Sequence, residues 1–181
     1  MSDTDEMTSV LKRLERLEAI EEIRNLKQGS AVAADPNMDI DMFLSLYTED
    51  GIMEIVNWDT VLKGHDEIRA FLEVNPFTWM FHCLLPIKIE VAEDCQSAKA
   101  RWYLFEAATV FNSRSGEYDP VWVAGSYDDS MIKVNDEWKL THTALTQEIL
   151  CSYEEGWGEN RVNVDKDWTK PVDELLQKIA K

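Results

Sequence analysis

The stretch AKARWYLFEAATVF, residues 98–111, has the period of a β-strand and places Trp102, Leu104 and Glu106 on one face. A carboxylate between Phe105 and Ala107 in such a strand lies either on a wet face or in a cavity that supplies partners. Its companions Trp102 and Leu104 favour the cavity. Alternation recurs at 86–91, 120–134 and 137–149, with polar turns near Glu93-Asp94, Asn112 to Gly116 and Asn135-Asp136. Four successive strands of this kind predict an antiparallel sheet.

Upstream, the period is helical. From Thr8 to Ala34 the apolar residues Val10, Leu11, Leu14, Leu17, Ile20, Ile23, Leu26 and Ala33 recur at steps of three and four. Asp35-Pro36-Asn37 should end that helix, because the residue before proline is driven out of the helical region. Residues 39–51 predict a short helix with Phe43, Leu44 and Tyr47 inward, closed by a Glu49-Asp50-Gly51 turn before the strand IMEIVNW. Gly64 precedes a third helix carrying Ile68, Phe71 and Leu72, with His65 or Asp66 available to its N-terminus. Helices followed by strands predict an α+β fold in which one curved antiparallel sheet wraps an N-terminal helical layer. The 181 residues fit a single domain with a core over about 8–150, and the tail 151–181 should end in a short helix from about Pro171.

Composition narrows the function. A net charge of −17 repels phosphate backbones and anionic lipid, which argues against nucleic-acid and membrane partners. Three cysteines, Cys83, Cys95 and Cys151, without a CxxC pair fit neither a disulfide framework nor a zinc site, so a reducing, cytoplasmic setting is expected. No signal-like segment and no apolar run of membrane-spanning length occurs. Gly-rich phosphate loops, nucleophile elbows and HxH or HExxH motifs are absent, so neither a metal nor an organic cofactor is expected.

Of three histidines, His82 is set in FTWMFHCLLPIKIEV, residues 77–91, directly before a predicted strand. Its ordinary reading is a hydrogen-bonded core residue; a carboxylate in the same cavity would make it a proton carrier. Asp35 is the best candidate partner, although a turn before proline also explains it. Glu106 is a second, and Glu54 allows the same two readings with less support. His65 reads as a helix-start residue, and His142, on the side of Trp138 and Leu140, stays in reserve.

Several pieces in succession resemble the SnoaL-like branch of the superfamily containing nuclear transport factor 2, ketosteroid isomerase and scytalone dehydratase. They are LEAIEEIRNLKQGSAVAAD, FLSLYTEDGIMEI, LKGHDEIRAFL, HCLLPIKIEV, ARWYLFE and GSYDDSMIKVNDEWKLTH. The resemblance implies a cone of curved sheet and helices with an apolar pocket, and in its lyases a histidine matched by His82 works with an aspartate matched by Asp35. The bile acid 7α-dehydratases are similar around Arg101 to Glu106, which implies an acidic catalytic role for Glu106. A tyrosine and an arginine of that group correspond to Ser30 and Gln147 here, which points to another substrate.

The expectation is therefore a cofactor-independent lyase of the dehydratase type, acting on a hydrophobic cyclic or aromatic small molecule. His82 would be the base, Asp35 its orienting carboxylate, and Glu106 with Tyr47 or Tyr103 the acid. Trp58, Trp79, Phe81 and Trp102 would shape the pocket, and Ser30, Glu54 and Gln147 would contact substrate. Alternatives are carbon–carbon cleavage releasing formaldehyde from a lignin-derived aromatic, isomerisation, or a non-catalytic module such as a dioxygenase β-type subunit. The resemblance also implies a homo-oligomer, trimer ahead of dimer.

Overall fold

A computed structural model describes residues 3–35, 37–162 and 166–179. Pro36, expected to stop the first helix, lies outside the described residues. The elements in chain order are α1 (Asp3–Ala34), α2 (Ile40–Ser45), β1 (Tyr47–Ile55), a 3-10 turn (Val56–Trp58) and β2 (Thr60–Lys63). There follow α3 (Gly64–Glu73), β3 (Phe77–Val91), β4 (Ser97–Phe111), β5 (Tyr118–Val134), β6 (Glu137–Ser152) and α4 (Lys166–Ile179). The strands form one six-stranded sheet in the order β2-β1-β6-β5-β4-β3. It is curved and unclosed, and the helices fill its concave side, as the α+β reading expects.

The structure corrects the elements in three places. β1 runs parallel to β6, so the sheet is mixed instead of wholly antiparallel. Residues 47–51 belong to β1 and not to a helix and turn: the β1–β6 register shifts between Tyr47 and Ile52, and Gly51 sits where a Cβ would touch the Tyr47 ring and the Thr48 carbonyl at 3.0 Å. β3 begins at Phe77, well before residue 86, and pairs with β4 from Phe77–Val110 to Val91–Ala98. Both of its faces are apolar near the start, which hides the period of two.

The helix ends are set by local chemistry. The Asp39 carboxylate caps α2 by accepting the Met42 N–H at 2.9 Å. At α3 neither His65 nor Asp66 is the cap; Lys63 holds that position, and Glu67 reaches back to accept the Lys63 N–H at 2.8 Å. α4 starts before Pro171 and encloses it. It packs across the domain through buried Trp168 and Val172, with Trp168 Nε1 donating to Asp119 Oδ2 at 2.9 Å.

α1 is buried only from Ala19 onward; Met7, Val10, Leu11, Leu14 and Leu17 on its first half are exposed. Its second half lies along β3, an edge strand whose outer backbone groups would otherwise be unpaired. Gln28 Nε2 donates to the Leu84 carbonyl at 3.3 Å, and Asp35 accepts the His82 N–H at 2.8 Å. Gln28 of α1 and Asp35 just after it thus cover part of the edge and fix helix and strand in one register. Among the described residues no helix is long and apolar enough to cross a membrane.

Candidate active site

Between α1 and the concave sheet face lies a cavity of about 120 Å3. Met80, His82 and Leu84 reach it from β3, Glu106 from β4, Tyr127 from β5, and Thr143, Leu145 and Gln147 from β6. The alternation of each strand decides which residues arrive.

His82 pairs directly with Glu106 across β3 and β4, so the two side chains project together from the same face. Asp35 enters from the residue after α1, and its Oδ1 lies 2.7 Å from His82 Nδ1. On the other side of the ring, Nε2 lies 3.5 Å from Glu106 Oε2. Since Asp35 accepts at Nδ1, the ring proton sits there and Nε2 is left with a lone pair facing the cavity group Glu106. Burial pushes the Glu106 carboxyl up to about 7, with His82 pulling it down and Asp35 pushing it up more weakly. The Glu106 carboxyl can therefore hold or give up a proton near neutral pH while facing the His82 ring. Because the two carboxylates flank opposite ring nitrogens, they do not converge on one point. Among the described residues no cluster of His, Cys, Asp and Glu is arranged to hold a metal ion.

The other candidates divide sharply. Ser30, Tyr47, Trp58 and Gln147 line the cavity. Glu54 touches it, but its carboxylate binds His142 Nε2 at 3.1 Å. His142 is not on the side of Trp138 and Leu140, because the β5–β6 register shifts at Ser130/Met131 and turns it over. Trp79, Phe81 and Tyr103 are 43%, 56% and 59% exposed on the opposite sheet face, one residue out of phase with Met80, His82 and Leu104. Trp102 is inward but completely buried in the core and does not line the cavity. Of the residues expected to shape the pocket only Trp58 does so; the wall assigned to Trp79, Phe81 and Trp102 is formed instead by Met38, Phe71, Phe77 and Met80.

Two cavity residues were not singled out from sequence. Lys27 is 3% exposed and forms a buried ion pair with Asp129, Nζ to Oδ2 2.9 Å. The same Nζ lies 3.6 Å from the centroid of the Tyr127 ring. A signal existed for Lys27: it continues the stripe Ile20, Ile23, Ala31, Ala34, where a charge needs a buried partner. Burial raises Tyr127 well above the usual phenol range, the Glu106 charge adding to it, and raises Tyr47 similarly; both phenols stay protonated at neutral pH. Among the buried polar atoms of lining residues, Trp58 Nε1 and Gln147 Oε1 have no hydrogen-bond partner.

Comparisons with known proteins agree with this architecture. The SnoaL-like domain model matches residues 15–144. A candidate aromatic ring hydroxylase from Novosphingobium aromaticivorans superposes with a TM-score of 0.65 at 24% identity, covering 77% of this chain and 96% of that one. A candidate scytalone dehydratase from the same species gives 0.66 at 20% identity, with 77% and 90% covered. The type 3 hexachlorocyclohexane dehydrochlorinase of Novosphingobium barchaimii gives 0.67 at 12% identity, with 84% and 99% covered. At these identities the likeness is one of fold. No curated protein matches the sequence.

Proposed function

The chain belongs to the SnoaL-like domain family, and from that premise we propose that it is a cofactor-independent lyase of the dehydratase type acting on a hydrophobic cyclic or aromatic compound. The single observation that carries the reading is the chain Asp35–His82–Glu106, with contacts of 2.7 and 3.5 Å at the two ring nitrogens.

In this mechanism His82 Nε2 takes the proton from a carbon next to the one bearing the leaving hydroxyl. The C–H electron pair becomes the new double bond, the C–O bond breaks, and Glu106 gives its proton to the departing oxygen, which leaves as water. Asp35 holds the Nδ1 proton and stabilises the imidazolium. The catalyst resets when His82 Nε2 returns its proton to Glu106 across the short gap between them. Neither buried Tyr47 nor exposed Tyr103 is needed as the acid. Trp58 Nε1, a donor, and Gln147 Oε1, an acceptor, suit a hydroxyl-bearing substrate.

Structural neighbours named for dehydratase and dehydrochlorinase activity are in line with elimination on this fold, and another is named for ring hydroxylation. Isomerisation uses the same proton shuttle with return to a different carbon. A non-catalytic module gives no reason for a carboxylate to orient a histidine inside a cavity. The three cysteines are free, in keeping with a reducing cytoplasm. Exposed Phe81, Leu85, Ile87, Tyr103 and Phe105 on the outer face of β3 and β4 favour association between copies, trimer ahead of dimer.

The test incubates the protein with single-ring alcohols and reads product mass. Loss of water supports the reading, whereas loss of formaldehyde or an unchanged mass redirects it to carbon–carbon cleavage or isomerisation. Full turnover by a folded His82→Ala variant overturns it.

A further inference from the structure

α1 outruns the domain it belongs to. Every residue from Thr4 to Glu18 is exposed, and burial starts only at Ala19. This arm runs about 22 Å at the helical rise, and a helix of that length standing alone is marginal in water. The SnoaL-like model matches from residue 15, so most of the arm lies outside the part of the chain shared with the family. Its helix therefore calls for a partner that the domain does not supply.

One side of the arm is apolar. Met7, Val10, Leu11, Leu14 and Leu17 are between 48% and 63% exposed. Their spacing puts Met7 and Leu14 at position a of a heptad, Val10 and Leu17 at d, and Leu11 at e. Scattered singly, such residues would need no explanation; aligned along one helix they form a seam for another.

Charge decides which helix fits. In this register Arg13 falls at g and Glu18 at e, the positions that flank the seam. Neither meets an opposite charge within α1: three and four residues from Arg13 lie Ser9, Val10, Arg16 and Leu17, and from Glu18 lie Leu14, Glu15, Glu21 and Glu22. Among the described residues neither forms an ion pair. In two parallel copies each g residue faces the e residue five positions on in the other chain, so Arg13 meets Glu18 of the second copy and the reverse pair forms as well. An antiparallel pair with fully overlapped seams sets Arg13 against Arg13 instead. The pattern is complementary to itself in the parallel orientation, as an interface between identical chains requires.

We propose that residues 4–18 form a parallel helical seam between copies of this chain, with Arg13 of one copy paired to Glu18 of the next. Two heptads are too short to hold copies together unaided, so the seam rests on the association through the outer face of β3 and β4 proposed above and adds to it. Parallel arms place their domains at the same end of the seam, in keeping with a closed cyclic assembly.

Sedimentation of the full chain over a concentration series tests it. Arg13→Glu and Glu18→Arg each bring like charges together across the seam and should weaken association about ten-fold. Arg13→Glu/Glu18→Arg should restore it to within about two-fold of the wild type. Each substitution places its new side chain beside opposite charges of its own helix, Arg16 in one case and Glu15, Glu21 and Glu22 in the other, so weaker association cannot be laid to a weaker helix. Unchanged association in both single variants, a double variant no tighter than the singles, or a wild-type monomer throughout the series overturns the seam. The sheet-face contact fails separately, through unchanged association in Phe81→Glu/Tyr103→Glu.

Discussion

Asp35 commits both carboxylate oxygens to His82: Oδ1 lies 2.7 Å from the ring Nδ1, and Oδ2 accepts the backbone N–H at 2.8 Å. One side chain therefore fixes the strand position and the tautomer together. Asp35→Asn keeps an oxygen for the backbone N–H but turns an N–H toward Nδ1, which moves the ring proton to Nε2 and removes the base. Both Asp35→Asn and His82→Ala should lower kcat by about 10²–10⁴-fold, with an unchanged circular dichroism spectrum. A retained rate in either variant contradicts the mechanism.

Glu106 should govern the pH dependence. Its carboxyl is held at about 7 by burial, so as the proton donor it is lost as pH rises through that value, and activity falls on the alkaline side. Glu106→Gln should remove this limb and leave a low rate. Stability follows the same group: between about 4.5 and about 7 the native state holds a proton that the unfolded chain has released. Native stability therefore falls as pH rises through that window, by an amount on the order of 3 kcal/mol, and Glu106→Gln flattens the slope. Urea midpoints of both proteins at pH 5.5 and pH 8 check the sign.

Legibility from sequence followed how far each signal reaches. The helical period of α1 and the alternation of β4 to β6 are local, and the structure keeps them. The phase of β3 was lost because Trp79, Phe81, Met80 and Leu84 are all apolar, so hydrophobicity cannot tell the cavity face from the outer face. Phase could be taken only from the cross-strand partner Glu106, a non-local fact. The same holds for Lys27, whose place on an apolar stripe makes sense only beside Asp129, 102 residues away. His142 was turned over by a register shift that leaves no local mark.

The Lys27–Asp129 pair predicts a large asymmetry between single and double variants. Both side chains are essentially buried, so removing one leaves an uncompensated charge in the core. Lys27→Met alone should cost about 3–5 kcal/mol, and Lys27→Met/Asp129→Asn should recover most of it. Equilibrium unfolding in urea measures both. A single variant as stable as the double would mean that the pair is neither buried nor coupled in solution.

The outer face of β3 and β4 predicts association. Phe81 and Tyr103 stand on it at 56% and 59% exposure, one residue out of phase with the cavity. Phe81→Glu/Tyr103→Glu should shift the oligomer to monomer in light scattering, because placing charges in an apolar contact costs more than a complex of modest area returns. A wild-type monomer at micromolar concentration refutes the contact.

Gly125 supplies the most severe steric test. It faces Gln147 beside a register shift in β5, and an alanine Cβ there would lie 2.0 Å from the Thr146 carbonyl oxygen. That oxygen belongs to the backbone of the paired strand, so relief requires β5 and β6 to separate where β6 delivers Leu145 and Gln147 to the cavity. Gly125→Ala should destabilise by about 3 kcal/mol and should also lower turnover in the surviving folded protein, because Gln147 moves with its strand. Gly158→Ala is the control: nothing lies within 4 Å of its Cβ position, and its effect should stay within about 0.5 kcal/mol. Equal stability of the two variants would show that the strands at Gly125 stand farther apart than their pairing implies.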